Sequence, residues 1–484
     1  MTRYAKIVCT LGPSSSDEQT IRKLVEAGMN VARLNFSHGT HESHLQLIQT
    51  IRRLSKEMKR PIAILQDLQG PKLRVGVLPD AGVELKPGMV VNLYAIEGGE
   101  PQKIQGEIYL PLDVPNLARA VKTGNRILLD DGHLELQVTA VQGDNVVTKV
   151  VLGGLLTSHK GVNLPGADLK IPIPTEKDIV DLQFGLQQGV DFVAISFVHT
   201  AAEIRTVREL IHKFLPDQKG PGIIAKLERP EAIHNLHEIM HETDGVMVAR
   251  GDLGIETSPS LVPIIQKEII HMANRHAKVV ITATQMLDSM IHNPRPTRAE
   301  ASDVANAIFD GTDAVMLSGE TASGSYPVES VKMMDSIVRE AEAHIEEWGH
   351  AVDFPKDSLQ DDAIAMTRAA RELAHDRKVA ACAVLTQSGR TALLMSKARP
   401  RVTIMAFTPN ENVYNLVNMY WGVTPVLIPF VDSLEEVIQS VDTVLQKEHK
   451  FKIGDQVILI TGFPLPALHL PNLAMLHNIG EEAK

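Results

Sequence analysis

KIVCTLG (residues 6–12), SDEQTIRKLVEAG (16–28), VARLNFS (31–37), a helical stretch near His41 to Met58 and PIAILQD (61–67) decide the fold. The first, third and last are short apolar runs of strand length. The second repeats its apolar positions at helical spacing, opens on a Ser/Asp cap and stops at Gly28. Strand, helix, strand, helix, strand predicts a parallel sheet. The pattern breaks at Gly70-Pro71. Over residues 71–170, VELKPGMVVNLYA (83–95), NRILLDDGHLELQVTAV (125–141) and DNVVTKVVLGG (144–154) read as strands and hairpins with Gly, Asp and Asn turns. GVNLPGADLKIPIPTEKD (161–178) is a proline-rich return. The βα alternation then resumes with DFVAISF (191–197), GIIAKLE (222–228), GVMVARGD (245–252), KVVITATQ (278–285) and DAVMLSGE (313–320). Three units before the interruption and five after it make eight, which predicts an α/β fold, a (β/α)8 TIM barrel with an inserted all-β domain. An open doubly wound sheet is the alternative.

The expected boundaries are 1–70 and 171–347 for the barrel, 71–170 for a β-barrel-like lid, and 348–484 for a C-terminal α/β domain. The last contains the amphipathic DDAIAMTRAARELAHD (361–376) and the strand-like VAACAVLT (379–386), VTIMAFT (402–408), VTPVLI (423–428) and QVILITG (456–462). A length of 484 residues suits two to four domains. The 48 Lys and Arg against 59 Asp and Glu leave a net charge of −11, and aromatics are 4%; both argue against a nucleic-acid binder. Two cysteines, Cys9 and Cys382, form neither a disulfide framework nor a structural zinc site. The N-terminus shows no secretory apolar region, and no apolar run is long enough to span a bilayer. The expectation is a cytoplasmic enzyme with no membrane partner.

Barrel enzymes carry their chemistry at the C-terminal strand ends. Those ends supply Arg33, Asn35 and Ser37; Asp67; Lys226 and Glu228; Asp252; Thr284 and Gln285; and Ser318 and Glu320. Lys226 and Glu228 share strand parity. Glu228 and Asp252, from adjacent strands, suit Mg²⁺ completed by water and substrate oxygens. Lys226 and Arg33 would face an anion, and Gly251 and Gly254 let backbone amides approach it. No GxxxxGK[ST] loop is present. The residues point to a Mg²⁺-dependent enzyme acting on a phosphorylated small acid.

MNVARLNFSHGTHESH (29–44), KGVNLPG (160–166), KLERPEAI (226–233), VMVARGDLGIE (246–256), ITATQMLDSM (281–290) and NPRPTRAEASDVANAIFDGTDAVMLSGETASGSYP (293–327) closely resemble pyruvate kinase. The similarity runs from Lys6 to about Tyr326 and continues more weakly to the end. The resemblance implies transfer of the phosphoryl group of phosphoenolpyruvate to ADP, giving ATP and pyruvate. It implies that Lys226 neutralises the transferring phosphoryl group and the enolate, and that Arg33 holds the phosphoryl group. It gives Glu228 and Asp252 to Mg²⁺ (or Mn²⁺ in its place), and the amides near Gly251 and Asp252 and the Thr284 hydroxyl to the substrate carboxylate. Thr284 lies near the route of enolate protonation. Arg74 and His38 are the expected nucleotide contacts, under the lid, and the assembly expected from the family is a homotetramer.

Departures from the family pattern are informative. Many members read Asp-Thr-Lys-Gly-Pro-Glu after strand three, beside a K⁺ site whose equivalents here are Asn35, Ser37, Asp67 and Leu68. This chain reads Asp67-Leu68-Gln69-Gly70-Pro71-Lys72. The Lys72 ammonium is the expected substitute for K⁺, so K⁺ is not expected to be required. Thr200 stands where members often carry a nucleotide-contacting lysine. Thr386, Ser388, Gly389, Arg390 and Thr391 resemble the family's effector phosphate loop. Gly462-Phe463-Pro464-Leu465-Pro466 lacks the basic, glycine-rich character associated with fructose 1,6-bisphosphate. The expected effector is a sugar monophosphate or nucleotide monophosphate, or none, rather than the bisphosphate. The competing functions are a Mg²⁺-dependent pyruvate aldolase on the same barrel and a silent relative, which would be expected to lose Lys226, Glu228 or Asp252.

Overall fold

Strands β1 (Lys6–Leu11), β2 (Val31–Asn35), β3 (Ala63–Asp67), β4 (Phe192–Ile195), β5 (Gly222–Leu227), β6 (Gly245–Ala249), β7 (Val279–Ala283) and β8 (Ala314–Leu317) close into a barrel in chain order in the computed structural model. It describes residues 3–101, 104–167, 171–216, 218–349, 361–449, 451–465 and 469–481. Every neighbour pair is parallel. Closure is made by β1, which pairs β2 at Val8↔Val31 and β8 at Lys6↔Ala314. The open-sheet alternative is thereby removed.

Strand parity sorts the side chains. Val8, Val31, Leu65, Phe192, Ile224 and Met247 belong to the interior cluster. Their chain neighbours Ile7, Ala32, Ile64, Val193, Ile223 and Val246 pack in the layer shared with the helices. Each large apolar side chain taken from water there contributes about 1.5–3 kcal/mol. The first helix, Glu18–Ala27, shows why the local pattern was readable. Asp17 accepts from the Thr20 amide at its start, Ile21, Leu24 and Val25 are buried, and Gly28 ends it at φ 123°.

The chain between β3 and β4 forms a seven-stranded sheet in the order Val162–Asn163, Arg126–Leu129, Leu134–Gln142, Asn145–Leu152, Val90–Ala95, Ile108–Asp113, Arg74–Val75. Its two edges meet through the Arg74↔Gly161 bridge and the bond from the Val162 amide to the Leu73 carbonyl, so the sheet curls on itself. One helical turn, Leu117–Ala120, interrupts the strands.

The C-terminal sheet runs Val423–Leu427, Thr403–Thr408, Ala381–Leu385, Gln456–Thr461, Leu473–Asn478, the last antiparallel. It docks at the N-terminal end of the barrel. Lys6 Nζ, at the start of β1, donates to the Val423 carbonyl at 2.6 Å. The Gly422 amide donates to the Tyr4 carbonyl, and Tyr4 stacks on Trp421 with ring centroids 4.8 Å apart. Asn418 Nδ2 donates to the carbonyls of Asn30 and Pro61. Buried Lys397 and partly buried Arg399 both pair with buried Asp313, just before β8. Among the described residues no helix is long and apolar enough to cross a membrane.

Candidate active site

The inward parity of the strands continues past their apolar layers and ends in polar groups. Thr10, Arg33, Asp67, Ser196, Lys226 and Glu228 occupy this rim. Asp67 is fully buried and stands between two cations: Arg33 Nε donates to its Oδ2 at 2.6 Å, and Lys226 Nζ lies 3.2 Å from its Oδ1. Arg33 Nη1 donates to Thr10 Oγ1 at 2.8 Å. Lys226 Nζ donates to Ser196 Oγ at 2.7 Å and lies 3.0 Å from Glu228 Oε1. Glu228 Oε2 accepts the Phe197 amide at 2.7 Å, from a residue at φ 57°. Ser196 Oγ in turn donates to the Leu68 carbonyl at 2.7 Å.

The electrostatics follow from this packing. Burial works against the charge of Lys226, but Asp67 and Glu228 outweigh it and hold the ammonium firmly protonated. Burial opposes the Asp67 carboxylate too, yet Lys226 and Arg33 keep it below its ordinary range. Asp252 lies on the short helix Arg250–Glu256 that follows β6. Burial, then repulsion from Glu228, pushes it up to about 7. The rim thus holds two close carboxylates, one of which lacks enough positive charge to ionise easily. A cation bound beside them would supply that charge. Among the described residues no group of three or more His, Cys, Asp or Glu side chains could hold a metal. A two-carboxylate set fits an ion that keeps water and substrate oxygens, as Mg²⁺ does.

Thr284 follows β7 at φ 69°, a conformation unusual for a branched residue. Its hydroxyl donates to the Ala283 carbonyl at 2.6 Å and accepts the Gly251 amide at 2.8 Å. The sequence reading gave that amide to the substrate; here it ties Thr284 to the helix carrying Asp252. Arg250 braces the same junction, with Nη2 donating to the Thr284 carbonyl and Nη1 to Asp303.

Lys72 is half-buried at the root of the insertion. Burial and then Arg74 lower its pKa, while Asp131 and Asp252 attract its charge and Lys226 opposes it. Lys72 therefore shares the electrostatic field of Asp252 and Lys226. Asp131, on a turn of the inserted sheet, also contributes to the rise of Asp252. His38 is lowered by burial and by Lys72, Arg74 and Arg33, so the side of the rim nearest the insertion is cationic. Arg74 Nη1 donates to the His159 carbonyl. Asn35 is opposite Asp67 in the β2–β3 register, and its side chain accepts the Ser37 amide. The Leu68 side chain is buried in the helix-facing layer, which leaves its carbonyl toward Ser196. A cavity of about 440 Å³ opens between the root of the insertion, at Pro71 and Leu73, and the barrel residues His199, Thr200 and Arg229.

Two residues of the sequence reading do not join the rim. Glu320 is fully buried and accepts the Leu287 and Ser318 amides, which makes it a brace for the loops after β7 and β8. Ser318 Oγ is buried without a partner among the described residues. Conversely, Thr10 and Ser196 were missed. Both sit at strand ends with inward parity, in β1 and just after β4, and that parity was the available signal.

In the C-terminal domain, Thr386, Ser388, Gly389, Arg390 and Thr391 form the loop that opens helix Arg390–Ala398. Thr386 Oγ1 accepts the Gly389 amide and Ser388 Oγ the Arg390 amide. Gly389 takes φ 83°, and a Cβ there would press on Val417 at 3.2 Å. Pro466 lies outside the described residues.

Comparison with known proteins gives a consistent result. A family model described as pyruvate kinase, barrel domain, matches residues 2–331, and one described as pyruvate kinase, alpha/beta domain, matches residues 362–477. The chain is 44% identical to pyruvate kinase of Geobacillus stearothermophilus over 485 residues, 99% of this chain and 81% of the relative. It is 41% identical to pyruvate kinase of Sporosarcina psychrophila with the same coverage. It is 42% identical to that of Staphylococcus saprophyticus over 493 residues, again 99% and 81%.

Proposed function

Since the chain belongs to the pyruvate kinase family and is a phosphotransferase of that kind, we propose that its rim residues carry phosphoryl transfer from phosphoenolpyruvate to ADP with Mg²⁺ and without K⁺. The observation that carries the reading is the Asp67 carboxylate held between Arg33 and Lys226 beside Glu228.

A phosphoryl group in transit spreads negative charge over its peripheral oxygens, and catalysis rests on positioned countercharge. Arg33, fixed by Asp67 and Thr10, holds the group without needing to reorganise. Lys226, fixed by Asp67, Glu228 and Ser196, stays protonated through the reaction. It stabilises the enolate electrostatically and does not serve as a base. Glu228 and Asp252 would hold Mg²⁺, which supplies Lewis-acid neutralisation of the substrate's oxygens. The Thr284 hydroxyl, pinned beside Gly251 and Asp252, orients the carboxylate and lies on the proton route to the enolate carbon. Arg74 and His38 receive the nucleotide phosphates. The cavity at Thr200 and Arg229 seats the rest of the nucleotide, and the inserted sheet acts as its lid.

K⁺ independence follows from charge. Both oxygens of Asp67 are already paired with protein cations, and Lys72 adds a third positive group in the same field. The Thr386–Thr391 loop would bind a phosphorylated effector other than fructose 1,6-bisphosphate, and the working form would be a cytoplasmic homotetramer.

The test is pyruvate formation from phosphoenolpyruvate plus ADP at saturating Mg²⁺, with and without K⁺. Wild type is expected to show full activity in both, and Lys72→Glu to become K⁺-dependent. Strong K⁺ activation of wild type overturns the K⁺ reading, and no pyruvate under either condition overturns the rest.

A further inference from the structure

Helix Arg250–Glu256 carries Asp252 in its first turn and ends on Glu256, one turn further along the same face. We propose that Glu256 is a positioning residue that ties the placement of Asp252 and Glu228 to the position of the inserted sheet; this rests on reading those two carboxylates as the Mg²⁺ ligands and the sheet as the lid. Glu256 is 4% exposed, and its two oxygens face different parts of the molecule. Oε1 accepts from Asn163 Nδ2 at 3.0 Å. Asn163 belongs to strand Val162–Asn163 of the inserted sheet, just past the Arg74↔Gly161 bridge where the edges of that sheet meet. Oε2 lies 3.7 Å from Nη1 of Arg229, the residue after Glu228.

A helix of seven residues is held by what grips its ends. At the start, Thr284 Oγ1 accepts the Gly251 amide, and Arg250 donates to the Thr284 carbonyl. At the end, Glu256 reaches the insertion on one side and Arg229 on the other. Arg229 packs beside Phe197, with its guanidinium carbon 5.9 Å from the ring centroid, and the Phe197 amide donates to Glu228 Oε2. Glu256 therefore spans the gap between the helix that bears Asp252 and the strand end that bears Glu228. A metal site with only two protein carboxylates depends on their spacing, since water and substrate fill the other positions. A swing of the sheet that displaces Asn163 acts on that spacing through Glu256.

A second observation shows that the link has room to move. Glu256 Oε2 and Arg229 Nε are both buried without a hydrogen-bond partner among the described residues. Oε2 and Arg229 Nη1 stand beyond hydrogen-bond distance, so two opposite buried charges face each other with their bond unmade. Leaving such a bond unmade is unfavourable, and a small shift of Glu256 toward Arg229 completes it. Linkage makes the coupling reciprocal. Closing Glu228 and Asp252 on a cation biases the position of the sheet, and the position of the sheet biases the affinity for the cation.

Calorimetric titration of the full-length protein with Mn²⁺, paired with hydrogen exchange of the insertion with and without Mn²⁺, tests the coupling without turnover. Wild type is expected to bind Mn²⁺ and to exchange more slowly around residues 161–164 when it is bound. Asn163→Ala is expected to weaken Mn²⁺ binding about fivefold or more and to abolish that metal-dependent slowing. Exchange raised equally with and without metal is the mark of a merely structural role and overturns the proposal. Asn163→Asp keeps the side-chain volume and sets a second carboxylate against Glu256. Displacing Glu256 is expected to weaken Mn²⁺ binding, whereas a bare through-space charge would tighten it, so tighter binding in Asn163→Asp also overturns the proposal. Asp252→Asn separates the underlying reading. If it binds Mn²⁺ as wild type does, or if wild type binds none, the assignment of the metal carboxylates fails and the proposal with it. Binding lost in Asp252→Asn beside unchanged affinity and slowing in both Asn163 variants overturns the coupling alone.

Discussion

Lys226 makes three polar contacts, with Asp67, Ser196 and Glu228, which hold its ammonium in place on the rim. Lys226→Met keeps the aliphatic stem and removes the charge. Turnover is expected to fall by about 10³-fold or more, with the melting temperature little changed; a kcat near wild type excludes the role assigned to Lys226. A second residue reports on pH. His276 packs against His237 and His241, with ring centroids 5.1 Å from each, and burial followed by these neighbours lowers it from 6.5 to about 4. The unfolded chain therefore takes the proton first, and stability falls as pH drops from about 6.5 through about 4. The melting temperature of His276→Asn should drop less than that of wild type between pH 7 and pH 5. At this scale much of the rim was legible: Arg33, Lys226, Glu228 and Asp252 are charged residues at strand ends, where an apolar interior has no use for them. Ser196 and Thr10 were not, because a small hydroxyl at a strand end looks like an ordinary turn residue until its partner is known.

Strand β3 and helix Glu176–Gln187 show how closely neighbouring elements are fitted. Gln66 is fully buried, and its Nε2 donates to the Asp181 carbonyl of that helix at 2.7 Å. Gly185 lets the amide in: a Cβ there would lie 2.0 Å from Gln66 Oε1. Gly185→Ala is therefore expected to destabilise the protein by about 1–3 kcal/mol, read as a lowered denaturation midpoint, with the active-site geometry retained. The type of nearly every element was readable from period and turn residues, since those signals are local. The Leu117–Ala120 turn was not, because four residues are too few to show a helical period. Barrel closure was legible only indirectly, from the count of eight βα units. Whether β1 meets β8 is decided by a pairing between the two ends of the domain, and no window of sequence contains both.

Asp313 joins the barrel to the C-terminal domain by holding two cations, buried Lys397 and partly buried Arg399. Asp313→Ala leaves both without their carboxylate and is expected to cost about 3–5 kcal/mol, enough for calorimetry to show a lower or divided unfolding transition. A single undisturbed transition would remove this junction from the account of domain coupling. Nothing in the sequence around Lys397 distinguishes it from a solvated helix lysine; its burial comes from the docking itself. The same docking has a consequence for biosynthesis. The start of β1 leaves the ribosome well before the C-terminal domain, yet Tyr4 and Lys6 find their partners in Trp421, Gly422 and Val423. At about 5–20 residues per second, the first strand waits on the order of 20–80 seconds for residues that complete its lower end. Its exposed backbone and its buried-to-be lysine make that interval the one in which the nascent chain most needs protection. Protease sensitivity near the N-terminus of ribosome-bound chains should therefore persist until residues past Val423 have emerged.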